Sequence, residues 1–203
     1  MIIEGPLINA TFIERPNRFI TIIEINGELH RSHLPDPGRL KELLTPNAKL
    51  LVRRAPEASD RKTSFSTVMV EHKGQLISLV STLPNKFIDH ALKNNKIPIL
   101  RPYTFIRSEI TVKNHRFDFL LNDNKANKFY LEVKSVTLVE NGIAKFPDAI
   151  TRRGMNHAKA LMNLVSKGFQ AGILFVCQRP DAISFCPMWD RDPKFAMALS
   201  DAY

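Results

Sequence analysis

The chain has only two cysteines in 203 residues, and no apolar run approaches the roughly 20 residues that cross a bilayer. Cys177 and Cys186 make neither a disulfide framework nor a zinc site, and their apolar, strand-like surroundings mark both as core residues. The N-terminus lacks a basic stretch followed by a long apolar one, so a soluble cytoplasmic protein with no membrane partner is expected. Internal repeats, low-complexity segments and a helix-turn-helix pattern are also missing. Acidic residues are in deficit: 20 Asp and Glu stand against 29 Lys and Arg, a formal charge of +9. The excess is uneven, with 11 basic and 9 acidic side chains in residues 1–83 and 18 and 11 in residues 84–203. Such a balance favours an anionic partner, nucleic acid first.

What is present is enough apolar residue, 44%, to bury a substantial core. From Leu7 to Thr82 the pattern is short strands: Asn9–Glu14, Arg18–Ile25, Leu29–Leu34, Leu50–Arg54, Thr67–His72 and Leu76–Val80. Asn26-Gly27 reads as a type I′ hairpin turn, since both residues tolerate positive φ. Pro35-Asp36-Pro37 introduces a predicted helix over Gly38–Leu44, between the third and fourth strands. A five-stranded barrel with a helix at that place is the oligonucleotide/oligosaccharide-binding (OB) pattern. Ser81–Asn85 then punctuates the chain, and the period changes. A short helix around Phe87–Leu92 precedes strands near Thr104–Lys113, Arg116–Leu121, Lys128–Leu138 and Ile143–Phe146. A helix over Asp148–Lys167, a buried strand Ala171–Cys177, a further strand Ile183–Cys186 and a helix opened by Asp192-Pro193 complete the order. Two domains are expected: residues 1–83 an all-β, OB-fold-like nucleic-acid-binding domain, and residues 84–203 an α+β, restriction-endonuclease-like domain.

The chemistry concentrates in Phe117-Asp118-Phe119-Leu120-Leu121 and Tyr130-Leu131-Glu132-Val133-Lys134. Two carboxylates and an ammonium interrupt apolar strands, where ionised groups are costly unless paired or bound to metal. Strand alternation puts Glu132 and Lys134 on one face and turns Asp118 away from Phe117 and Phe119. A turn at Asn122–Asn124 brings Asp118 beside Glu132, and the two repel unless a cation bridges them. Mg²⁺ or Mn²⁺ suits oxygen ligands and phosphate together. Such an ion polarises a scissile phosphate and lowers the pKa of its water, while Lys134 orients that water or offsets transition-state charge. Glu109, on the preceding strand, is a candidate extra metal ligand or base. The plainer reading is a surface ion pair on an amphipathic strand.

The chain also resembles the sugar fermentation stimulation protein family, essentially from end to end. The resemblance rests on Arg15-Pro16-Asn17-Arg18-Phe19, on His33 to Leu40, on Arg61-Lys62-Thr63, and on Arg116 to Leu121. Leu131 to Leu138, Phe146 to Ala149 with Thr151 to Gly154, and Phe175 to Arg179 extend it. It implies an OB-like domain joined to a nuclease-like domain with a PD-(D/E)xK site, and an association with DNA. Asp118 and Glu132 would then be metal ligands and Lys134 the catalytic lysine. Phe117 stands where the motif expects proline, and Pro46-Asn47-Ala48 where Pro-Gly-Ala is expected; Asn47 tolerates positive φ.

Around this site, Arg152, Asn156, Lys159 and Asn163 form one polar helical stripe opposite Ala158, Leu161 and Val165. Thr151, Arg152 and Arg153 are the stronger phosphate-contact candidates, and Gln178 and Arg179 stand at a strand end that can reach the site edge. His157 reads as a packed or solvent-facing histidine. In the first domain Arg15, Arg18, Phe19, Arg31, His33, Arg39, Arg61 and Lys62 are candidates for tracking a polynucleotide. Gly38-Arg39 at a helix start would make a phosphate site, against a structural Asp36 cap. The leading expectation is a DNA-binding nuclease dependent on Mg²⁺ or Mn²⁺. A DNA-binding regulator that does not cleave, affecting sugar metabolism, is the alternative, and an RNA-processing or carbohydrate-linked role the third.

Overall fold

A computed structural model describes residues 3–56 and 61–203. Its first part comprises β1 (Ile8–Asn17), β2 (Ile20–Ile25), β3 (Glu28–His33), β4 (Lys49–Arg54), β5 (Phe65–His72) and β6 (Gln75–Ser78). β1, β2 and β3 form an antiparallel meander, β1 pairs β4, β4 pairs β5, and a short parallel pairing of β3 with β5 closes a five-stranded OB barrel. β6 adds to β5 outside that circuit. Asn26 and Gly27 have φ of 52° and 84°, which is the conformation a type I′ turn demands. Ile23, Leu34, Leu50, Val52, Val70 and Leu79 fill the barrel. Three hydroxyls share that interior: Thr67 Oγ1 lies 2.9 Å from both Thr21 Oγ1 and Ser32 Oγ, so each buried polar group has a partner.

The predicted helix over Gly38–Leu44 does not form. The segment is a run of turns in which Leu40 adopts φ of 54° and its N–H goes to Asp148 Oδ2 at 2.6 Å. Leu40 and Leu43 still plug the barrel, so the leucine spacing served packing while a distant carboxylate decided the backbone. With no helix start at Gly38-Arg39, the phosphate site imagined there is lost, and Asp36 Oδ1 instead caps the Gly38 N–H at 2.8 Å. Asn47 takes φ of 62°.

The second part begins with α1 (Leu83–Lys93) and continues through β7 (Thr104–Val112), β8 (His115–Asn122), β9 (Lys128–Val136), β10 (Leu138–Glu140), β11 (Ile143–Phe146), α2 (Arg152–Val165), β12 (Gln170–Cys177), β13 (Ser184–Pro187) and α3 (Pro193–Ala202). Its main sheet has the order β12-β9-β8-β7, antiparallel except for β12, which runs parallel to β9. One layer, with α1, holds Ile88, Leu92, Phe119, Leu121, Leu131 and Val133. The other, with α2, holds Phe117, Leu120, Tyr130, Leu161 and Leu164. A sheet covered on both faces explains the continuous apolar runs. This is the restriction-endonuclease-like α+β arrangement. The single strand expected over Lys128–Leu138 is broken at Thr137, where β10 leaves for a second sheet, β10-β11-β13. The Ala171–Cys177 segment, expected to be buried, is half-buried, as are Cys177 and Cys186; β12 and β13 are outermost in their sheets among the described residues. α2 starts at Arg152, not Asp148, with Thr151 as its cap.

The two parts are joined by buried polar contacts. Arg179, 6% exposed, donates to Thr137 O and Asp181 and faces Glu42 across 3.7 Å. Asp148 accepts from both Leu40 N and Arg191 Nη1, and Ser81 Oγ donates to Pro35 O. Gly38 sits where a Cβ would lie 2.9 Å from carboxylate oxygens of both Asp36 and Asp148.

Candidate active site

β8 and β9 pair up to Phe119 opposite Leu131 and then separate. Beyond the end of the β8 pairing, the Val133 N–H donates to Asp118 Oδ2 at 2.7 Å, and Asn85 of α1 donates to Asp118 Oδ1 at 2.6 Å. Phe117 and Phe119 lie in opposite layers although two residues apart, so β8 turns over at Asp118 and the simple alternation rule fails there. Glu109 stands beside this turnover with φ of 53°. Its carboxylate is exposed, faces Arg116 at 3.8 Å and does not line the cleft described below, so the structure does not bring it to the acidic pair.

Glu132 is 3% exposed. Its Oε1 accepts from both Lys134 Nζ and His157 Nδ1, each at 2.5 Å, whereas Oε2 is buried with no hydrogen-bond partner. The two carboxylates are displaced from their ordinary pKa values in opposite directions. Burial, then the charge of Glu132, pushes Asp118 above the ordinary aspartate value. Burial pushes Glu132 up as well, but the His157 hydrogen bond and the Lys134 ammonium outweigh it and hold the group below its usual value.

This pair opens into a cleft of about 440 Å³ walled by both parts of the chain. The barrel part contributes Arg18, Asp36, Pro37 and Gly38; the second part contributes Lys134, Ser135, Lys145, Asp148, Thr151 and Arg153. Of the other candidates, Arg15 donates to the carbonyls of Arg18, Asp36 and Arg39 and so holds the barrel's own loops. Arg39, Arg61, Lys62 and Arg152 are exposed outside the cleft lining. Thr151 Oγ1 accepts the Gly154 N–H and its own N–H goes to Asp192, so it builds the rim. Gln178 lies behind the wall, donating to Ser135 Oγ, and Arg179 is buried in the contact between the two parts. Sequence reasoning missed Asn85 and discounted His157. For His157 a signal existed: it belongs to the buried stripe Gly154, His157, Ala158, Leu161, Leu164.

The residues fit a hard divalent cation. Glu132 Oε2 is a buried, unpartnered anionic oxygen, the adjoining donors are carboxylate oxygens, and no soft ligand is near. Among the described residues no cluster of three or more His, Cys, Asp or Glu forms a cation cage, so an ion here would rest on Asp118 and Glu132 and keep several waters. No helix among the described residues is long and apolar enough to cross a membrane.

Comparison with known proteins gives two family matches: residues 13–79 match the SfsA N-terminal OB domain, and residues 82–203 the sugar fermentation stimulation protein RE domain. A sugar fermentation stimulation protein homolog of Clostridium botulinum is 44% identical over 202 residues, covering 100% of this chain and 87% of that one. The Moorella thermoacetica homolog is 42% identical over 196 residues, covering 97% and 84%. The solved structure of Pyrococcus furiosus SfsA in complex with Ca²⁺ superposes with a TM-score of 0.87 at 28% identity, covering 98% of this chain and 84% of that one.

Proposed function

Since this chain belongs to the sugar fermentation stimulation protein family and sets two carboxylates and a lysine in a cleft that Arg18, Lys145 and Arg153 also line, we propose that it is a DNA nuclease dependent on Mg²⁺ or Mn²⁺. The observation that carries the reading is Glu132: held ionised, almost wholly buried, with one oxygen lacking any partner. Asp118 and Glu132 would hold the cation, which when bound would supply Lewis acidity toward a phosphate oxygen and acidify a water. Arg18 and Arg153 reach the cleft from the barrel and from α2 and draw the phosphodiester in from both sides. Lys134, tied to Glu132, stands where an ammonium can orient the attacking water and offset the charge that develops on phosphorus-bound oxygens. Asn85 and the Val133 N–H keep Asp118 from rotating away.

The test is cleavage of supercoiled, linear and single-stranded DNA with Mg²⁺, Mn²⁺ or EDTA, wild type beside Asp118→Ala, Glu132→Ala and Lys134→Ala. Cation-dependent cutting that the variants lose while still binding DNA supports the assignment. Equal cutting by the variants sinks it, and DNA binding without turnover by any protein leaves a binding protein on a nuclease fold.

A further inference from the structure

We infer that His157 is a positioning residue for the cation site: its Nδ1–H fixes Glu132 Oε1 so that Oε2 is the oxygen offered to the ion. The inference rests on the cation reading of Asp118 and Glu132. An ionised carboxylate only accepts, so across the 2.5 Å contact the ring nitrogen donates, and Nδ1 carries the proton. Lys134 donates to the same oxygen. Both donors therefore occupy Oε1 and leave Oε2 bare inside the protein. A lysine on a flexible stem can follow a rotating carboxylate; an imidazole 4% exposed cannot. The His157 ring centroid lies 5.8 Å from that of Phe117 and 6.1 Å from that of His115, so its plane is set by packing.

The histidine also ties the site to the helix that carries the rim. Arg153 lines the cleft, and His157 follows it by four residues, hence on the same side of α2. One rigid element thus places a phosphate-facing guanidinium and the orientation of Glu132 together. A surface ion pair would have no such link. Partners that orient metal ligands typically change metal affinity 10–100-fold when removed.

The experiment is Mn²⁺ binding by calorimetry and by loss of the free-ion EPR signal, on wild type, Asp118→Ala, His157→Ala, His157→Asn and His157→Gln, with thermal melts of each. Asn can present an N–H near the Nδ1 position, whereas Gln places its amide farther out. The expected result is Mn²⁺ affinity about 10–100-fold weaker in His157→Ala and His157→Gln and within a few-fold of wild type in His157→Asn. Wild-type affinity in folded His157→Ala or His157→Gln overturns the role of His157 while leaving the cation site standing. No Mn²⁺ binding by wild type, or equal binding by Asp118→Ala, overturns the cation reading and the inference with it.

Discussion

At the scale of single residues, the rim of the site depends on close contacts. Gly154 is one such point, because a Cβ there would lie 2.7 Å from Thr151 Cγ2, 3.0 Å from Thr151 Oγ1 and 3.3 Å from Phe195 Cδ2. In an exposed helix Gly→Ala gains about 1 kcal/mol. Here the methyl must displace the cap or the fully buried Phe195, so Gly154→Ala is expected to destabilise by about 1–3 kcal/mol in urea unfolding. A gain in stability would show that the helix start yields freely. Asp118, Glu132 and Lys134 stood out in the chain because charges inside apolar strands are anomalous wherever they occur. Glu109, offered as an extra ligand because it lies on the preceding strand, stands outside the cleft lining and faces Arg116, on a backbone of positive φ beside the turnover of β8. His157 was undervalued because its partner, Glu132, is 25 residues away in sequence.

At the scale of elements, most of the strands could be read from the chain because their signals are local, as in Asn26-Gly27 and the alternating residues around it. The turn at Leu40 could not, since the Asp148 carboxylate that takes its N–H lies 108 residues away. The rim beside the site joins two elements through Asp192. One of its oxygens caps α3 by accepting the Phe195 N–H at 3.0 Å, and the other accepts the Thr151 N–H at 2.7 Å, just where α2 begins. Asp192→Ala therefore loses a cap and orphans a second amide, and a loss of about 1–3 kcal/mol is expected. The same variant should weaken DNA binding by loosening the segment that presents Arg153, measured by fluorescence anisotropy at fixed salt. Unchanged stability and binding would mean the rim is held by packing alone.

At the scale of the whole molecule, the contact between barrel and sheet carries a titratable group. Burial, reinforced by Asp148, raises Asp36 above the ordinary aspartate value. The folded state then holds this proton at pH values where the unfolded chain has released it, so ionised Asp36 destabilises the fold above its raised value, and the penalty fades as pH falls through that value toward 3.8. Replacing the charge by Asp36→Asn is expected to be most favourable at neutral pH, its advantage over wild type shrinking near pH 4, as read by urea unfolding across that range. A difference independent of pH would remove Asp36 from the account. The cleft between the two parts has a consequence for descent as well. Leu40 offers its N–H to Asp148, Glu42 faces Arg179, and Gly38 leaves room for two carboxylates at once. Neither part can drift alone without disturbing the wall it shares. Across relatives, residues aligned with Gly38 and Glu42 should change in step with those aligned with Asp148 and Arg179, and barrels exchanged between distant lineages should fit poorly.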